Sequence, residues 1–130
     1  MQRSLLLVGF RPSCNGKFDA MRMTVENAHK ALSGLDERFV TLFRHGSLEV
    51  EFYRPIGYDP QQPHTRDEVY VVASGRGVFF NGGVRQVFEA GEVLFVPAGV
   101  EHRFEDFSDD FATWVFFYGP VGGEAGDERG

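Results

Sequence analysis

The chain has 130 residues and a formal net charge of −6, and 42% of its residues are hydrophobic. This is enough apolar material for one packed domain, which excludes a mainly disordered chain. A single cysteine, Cys14, excludes internal disulfides and cysteine metal clusters, so we expect a cytoplasmic protein. No basic run suited to nucleic acid and no apolar run long enough to cross a membrane occurs, so neither partner is expected.

The N-terminal third of the chain predicts an irregular arm followed by one short helix. Residues 1–20 have no sustained periodicity. Apolar residues then recur at helical spacing, at Met21, Val25, Ala28 and Leu32. Thr24 is a suitable N-cap, and Gly34 is expected to end the helix in a left-handed conformation. We place His29 on the solvated side of this helix.

After Gly34 the chain consists of short segments rich in Phe, Val and Tyr, which Gly or Pro residues separate. This pattern predicts eight strands, at residues 39–44, 47–54, 68–73, 77–80, 84–88, 92–96, 103–107 and 112–118. Alternation of Leu48, Val50 and Phe52 with polar or aromatic neighbours predicts that Glu49, Glu51 and Tyr53 face water. Many strands with short loops favour an all-β fold, a single antiparallel barrel or jelly roll. We assign the domain to residues 21–118 and predict that the Gly-rich, acidic residues 119–130 form a flexible tail.

Two histidines and a glutamate form the candidate site. In an extended segment His64 and Glu68 share one face, whereas Asp67 has the opposite parity and is expected to face solvent. His102 begins a later strand, and a barrel can bring it to the other two residues. Two imidazoles and one carboxylate suit a divalent first-row metal with open coordination positions. His45, in a turn before Gly46, is interpreted as a surface residue.

The spacing of these residues resembles that of the cupin superfamily. His64-x3-Glu68-x6-Gly75 is similar to the later part of the first cupin motif, and Gly91-x5-Pro97-x-Gly99-x2-His102 is similar to the second. The resemblance implies a single cupin jelly-roll barrel that forms a homodimer. It also implies one divalent transition metal (Fe, Mn, Ni or Zn) that is held by His64, Glu68 and His102.

One departure from the family pattern touches the metal. Gln62 stands where the first motif has a histidine, and its amide oxygen can either ligate the metal or hydrogen-bond a water on it. On the inward-facing side, Arg66, Tyr70 and Phe104 are candidates for the substrate pocket. Arg66 can meet a substrate anion, pair with a protein carboxylate or swing out at the barrel rim.

Three functions remain open from the sequence. The first is a metal-dependent enzyme, dioxygenase-like or isomerase-like, that acts on a small organic molecule. The second is a module that binds or senses a small ligand without turnover. The third is a structural metal site in a protein-binding protein, with Gln62 as the fourth ligand. No catalytic acid, base or nucleophile is identifiable, and fold alone does not choose a reaction.

Overall fold

The computed structural model describes residues 22–126, which form one helix and eight strands. They are, in chain order, α1 (Val25–Ser33), β1 (Phe39–His45), β2 (Leu48–Tyr53), β3 (Asp67–Ser74), β4 (Arg76–Asn81), β5 (Val84–Glu89), β6 (Val93–Val96), β7 (His102–Glu105) and β8 (Ala112–Tyr118). All eight predicted strands are therefore confirmed. The predicted N-terminal arm lies outside the described residues.

The strands form two antiparallel sheets around one aromatic core. The larger sheet has the order β1-β2-β8-β3-β6, and the smaller has the order β5-β4-β7. Both sheets contribute large side chains to the interior, among them Phe39, Tyr53, Tyr70, Phe79, Phe88, Phe104, Phe111 and Phe117. Burial of this much apolar surface is the main stabilising contribution to such a fold. The predicted all-β jelly roll is confirmed.

Glycine allows the chain to cross between the two sheets at the end of β3. Gly75 has a φ of +85°, and a Cβ there would lie 2.5 Å from the Cα of Phe111. The next residue is fixed by a hydrogen bond from the Arg76 N–H to the Ser108 hydroxyl, at 3.0 Å. A side chain at position 75 would therefore be excluded both by the backbone conformation and by the close approach of a neighbouring segment.

Helix α1 covers the outer face of the larger sheet. The Thr24 hydroxyl accepts the Asn27 N–H at 3.0 Å, so the predicted N-cap is confirmed. Gly34 does follow the helix, but its φ is −83°, so the prediction of a left-handed end was wrong. Gly34 keeps a right-handed conformation because it lies inside one more tight turn, in which the Leu35 N–H donates to the Leu32 carbonyl. His29 is half-buried, with its ring 4.9 Å from that of Phe52, and not fully solvated as predicted.

The face of β2 that was predicted to contact water is largely covered: Glu51 and Tyr53 are buried, and Glu49 is half-buried. Glu51 and Tyr53 are 0% and 2% exposed. Strand β2 lies between β1 and β8, with Phe52 packed in the cluster beneath α1 and Tyr53 packed in the barrel core. Both faces of the strand are therefore covered, and the alternation separates two buried environments. Periodicity alone does not distinguish that case from a half-exposed strand.

The segment that follows β8 returns along the barrel. Gly119 N–H donates to the Ser47 hydroxyl at 3.1 Å, and Gly122 N–H donates to the Thr65 carbonyl at 2.7 Å. Glu124 N–H donates to Asp67 at 2.7 Å. The stretch predicted as a flexible tail thus begins with residues held against the barrel, and residues 127–130 lie outside the described part of the chain. Between residues 22 and 126, no helix is long and apolar enough to cross a membrane.

Asp67 is buried, so the prediction that it faces solvent was wrong. Its side chain accepts the Ala98 N–H at 2.9 Å in addition to the Glu124 N–H. Its exposure is only 5%. Asp67 lies on the face of β3 opposite Glu68, as its parity predicts. The segment after β8 and the loop before β7 cover that side of the strand, and their backbone donors satisfy the carboxylate.

Candidate metal centre

The three candidate ligands come from different parts of the barrel. Glu68 is the second residue of β3 and is flanked by Val96 of β6 and Phe117 of β8. His102 begins β7 in the smaller sheet, and His64 lies in the loop before β3. His102, which is distant in sequence, thus meets His64 and Glu68 because the two sheets enclose one interior.

The side chains of these residues converge on one carboxylate oxygen. His64 Nδ1 lies 2.6 Å from Glu68 Oε1, and His102 Nε2 lies 3.0 Å from the same oxygen. The ligand atoms of all three residues lie within 4.8 Å of one another. The side chains of Glu68 and His102 are fully buried, whereas that of His64 is 15% exposed. Solvent therefore reaches the group from the side of His64.

The orientation of the His102 ring is fixed from behind. His102 Nδ1 lies 2.9 Å from the Val100 carbonyl oxygen, which can only accept a hydrogen bond. Nδ1 therefore carries a proton, and Nε2 is the atom that faces the glutamate. A backbone carbonyl that fixes the tautomer of a histidine is a common supporting contact in metal sites.

The electrostatics of the group favour an ionised glutamate. Burial pulls the Glu68 pKa upward, but His102 and His64 outweigh it and lower this pKa to about 2. For His102, burial acts to lower the pKa, and the adjacent Glu68 carboxylate raises it above its ordinary value. The contact between the Glu68 carboxylate and the His102 imidazole therefore contributes to both pKa shifts, and His64 adds to that of Glu68.

The donor set fits a divalent metal ion. Glu68 Oε2 is buried and has no hydrogen-bond partner among residues 22–126. His102 Nε2 is also buried, and although it lies at ion-pair distance from Oε1, the two atoms do not meet in hydrogen-bonding geometry. Unsatisfied buried polar atoms are costly, and a cation bound between them would remove that cost. Two imidazoles and a carboxylate are suitable ligands for first-row transition metals, so this group can bind a metal.

A cavity of about 460 Å³ opens beside His64. Its lining residues are Glu49, Gln62, Pro63, His64, Thr65, Arg66 and Phe117. Gln62, the uncertain fourth ligand, is exposed and lies on this wall. Arg66 also lines the cavity and donates from Nη1 to the Ser47 carbonyl at 2.8 Å. Among the described residues Arg66 pairs with no carboxylate, so the alternative of an ion pair within the protein is not observed.

Tyr70 and Phe104 point inward as expected but do not line this cavity. They are 0% and 1% exposed and belong to the aromatic core. The Tyr70 ring packs 4.9 Å from Phe104 and 6.1 Å from His102. The interior beneath His102 is filled by side chains, so the inward face provides core packing there and not a pocket wall.

A second buried carboxylate near the site was not foreseen. Asp59 Oδ1 accepts the Tyr53 hydroxyl and the Gln61 N–H, and Oδ2 accepts the Gln61 side-chain amide and the Phe104 N–H, both at 2.8 Å. The Tyr70 hydroxyl donates to the Gln61 amide oxygen at 3.0 Å. The loop that holds Asp59 has no periodicity, and the only local signals in it, proline and glycine, indicate turns.

Fold and site together define a small jelly-roll protein with an internal His/Glu group that can bind a metal. Residues 50–118 match the model of the cupin domain family, Cupin_2. The chain is 34% identical over 103 residues to "Uncharacterized protein SCO3923" of Streptomyces coelicolor, an alignment that covers 78% of this chain and 96% of that protein. The chain therefore belongs to the cupin domain family.

Solved cupin structures share the fold. A cupin 2 conserved barrel domain protein from Salinispora arenicola aligns with a TM-score of 0.54 and 20% identity, over 62% of this chain and 74% of that one. Protein NMB1881 from Neisseria meningitidis aligns with a TM-score of 0.57 and 20% identity, over 75% of this chain and all of that one. At these identities the likeness concerns the fold alone.

Proposed function

We propose that this protein is a metal-dependent enzyme that acts on a small organic molecule, in a dioxygenase-like or isomerase-like reaction. His64, Glu68 and His102 would hold one divalent transition metal. The observation that carries the proposal is the buried Glu68 carboxylate, whose Oε2 accepts no hydrogen bond from the described residues although two imidazoles lie at its other oxygen. A stability role alone would favour a fully hydrogen-bonded or apolar replacement at that position.

The protein's own residues would divide the work of the site. Glu68 and His102, both fully buried, would hold the ion away from bulk water, and the Val100 carbonyl would keep His102 Nε2 directed at it. His64, which is partly exposed, would form the side that faces the cavity. When bound, a first-row metal supplies Lewis acidity toward a substrate oxygen or redox chemistry with dioxygen.

A module that binds a small ligand without turnover is the second candidate, and one observation favours it. Glu49 is the one carboxylate on the wall of the described cavity, and it is paired with Arg44 at 2.7 Å. A carboxylate held in an ion pair is a poor general base. Catalysis would then depend on the metal, because this wall carries no obvious additional acid or base.

Metal content tests the proposal directly. We expect wild-type protein incubated with iron, manganese, nickel or zinc and then desalted to retain about one equivalent of at least one metal, with the His64→Ala and His102→Ala variants retaining much less. His45→Ala is the matched control, since His45 is exposed at the end of β1. Equal metal content in all four proteins would overturn the proposal.

Turnover distinguishes the two candidate functions once metal is bound. Oxygen uptake is measured with catechols, thiols and keto acids, and isomerisation is followed by proton exchange from the same substrates in deuterated water. Turnover that disappears in His102→Ala but persists in His45→Ala supports the enzyme. Ligand binding without turnover in the metal-loaded protein supports the binding module.

A further inference from the structure

The cavity beside His64 contains a guanidinium group that has no ionic partner among the described residues. Its two charged side chains other than histidine are Glu49 and Arg66. Arg44 already pairs with Glu49. Within residues 22–126, Arg66 pairs with no carboxylate, and its one hydrogen bond runs from Nη1 to the Ser47 carbonyl. The cavity therefore presents one positive charge that the described residues leave uncompensated.

The contact with Ser47 also sets the direction of the guanidinium. Ser47 lies in the turn between β1 and β2, and its hydroxyl accepts the Gly119 N–H from the end of β8. The turn that holds Nη1 is thus tied to the main sheet. With Nη1 engaged, the edge formed by Nε and Nη2 remains for a ligand, and this edge binds a carboxylate through two parallel hydrogen bonds.

We propose that Arg66 binds the carboxylate of a small organic acid. Another oxygen atom of the same acid, outside the bound carboxylate, faces the metal-binding residues at His64. The inference rests on the proposed function, because the second oxygen needs the ion held by His64, Glu68 and His102. It narrows the substrate class from small organic molecules in general to short hydroxy, keto or dicarboxylic acids. A cavity of about 460 Å³ has room for such an acid.

The charges of the cavity favour a carboxylate over a phosphate. A phosphate carries close to two negative charges and is usually bound by several cationic or backbone donors. This wall offers one guanidinium edge and, apart from His64, no second cationic side chain. A single carboxylate matches both the charge and the two-donor geometry of that edge.

The test measures binding to the metal-loaded protein by calorimetry at low salt. The probes are glycolate, its neutral analogue glycolamide, and inorganic phosphate. We expect glycolate to bind wild-type protein more tightly than either of the others. The Arg66→Gln variant should bind glycolate at least about tenfold more weakly with glycolamide binding unchanged, and Arg66→Lys should fall between, because it keeps the charge but not the planar fork.

The matched control is Arg76→Gln, because Arg76 is exposed at the start of β4 and does not line this cavity. Glycolate affinity should be unchanged in that variant. Metal content is measured on every sample. If wild-type protein retains no metal after incubation with the metal ions, both the proposed function and this inference are overturned. Full metal loading with equal glycolate affinity in wild type and Arg66→Gln, or with phosphate bound more tightly than glycolate, would overturn this inference alone.

Discussion

Two buried carboxylates in this barrel have opposite environments. Asp59 accepts hydrogen bonds from a tyrosine hydroxyl, a glutamine side chain and two backbone N–H groups, so both of its oxygens are satisfied. Glu68 has both histidines at one oxygen, and its other oxygen has no hydrogen-bond partner among the described residues. Burial is nearly complete for both, at 9% and 0% exposure.

This difference separates a carboxylate that stabilises the fold from one that is available to bind a metal. The donors to Asp59 come from β2, from the loop after it and from β7, so Asp59 ties the two sheets together. Glu68 faces two imidazoles, and imidazole is a common metal ligand in proteins. Local stability rules are obeyed at Asp59 and violated at Glu68, and such violations are typical of functional sites.

Removal of the Asp59 carboxylate should have the largest effect on stability. Asp59→Ala would leave the Tyr53 hydroxyl, the Gln61 amide and the Phe104 N–H without their acceptor in a buried site. We expect the free energy of unfolding to fall by about 3 to 5 kcal/mol in urea denaturation of the metal-free protein. Asp109→Ala, at an exposed position, is the control. A loss below about 1 kcal/mol would mean that the network around Asp59 does not stabilise the fold.

Acid should weaken the metal-free protein through Glu68. The folded-state pKa is about 2 and the ordinary value is 4.5, so the unfolded chain takes up the proton first as the pH falls. The stability from the ionised glutamate is fully present above about pH 4.5 and is lost as the pH falls toward 2. Unfolding in urea across this range should show a steeper decline for wild type than for Glu68→Gln. Parallel curves for the two proteins would contradict the assignment of this pH dependence to Glu68.

Most of the fold was predictable from local sequence patterns. Runs rich in Phe, Val and Tyr between glycines and prolines correctly gave all eight strands, and the spacing of Ala28 and Leu32 correctly gave the helix. The motif spacing led to His64, Glu68 and His102, which the structure brings together. Such patterns are local or have fixed spacing, so they can be recognised in the sequence without knowledge of the packing.

Burial of polar residues was the part that sequence could not provide. Glu51 and Asp67 both follow an alternating pattern that usually means solvent, but neighbouring elements cover them. Tyr70 points inward as predicted, yet lies in packed core and not on a pocket wall. Asp59 was missed entirely, because its partners at Tyr53 and Phe104 come from strands that meet it only in the folded barrel. Each case depends on which element lies on top of the residue, and periodicity does not report that.

A zinc titration of wild type, Glu68→Gln and Asp59→Asn by calorimetry tests the contrast between the two carboxylates most directly. Circular dichroism first confirms that each variant is folded. We predict that wild type and Asp59→Asn bind one equivalent with similar affinity, and that Glu68→Gln binds at least about 100-fold more weakly, because a neutral amide replaces a charged ligand. Zinc binding in Glu68→Gln equal to that in wild type, or an equal loss in Asp59→Asn, would contradict the assignment of Glu68 as the ligand carboxylate.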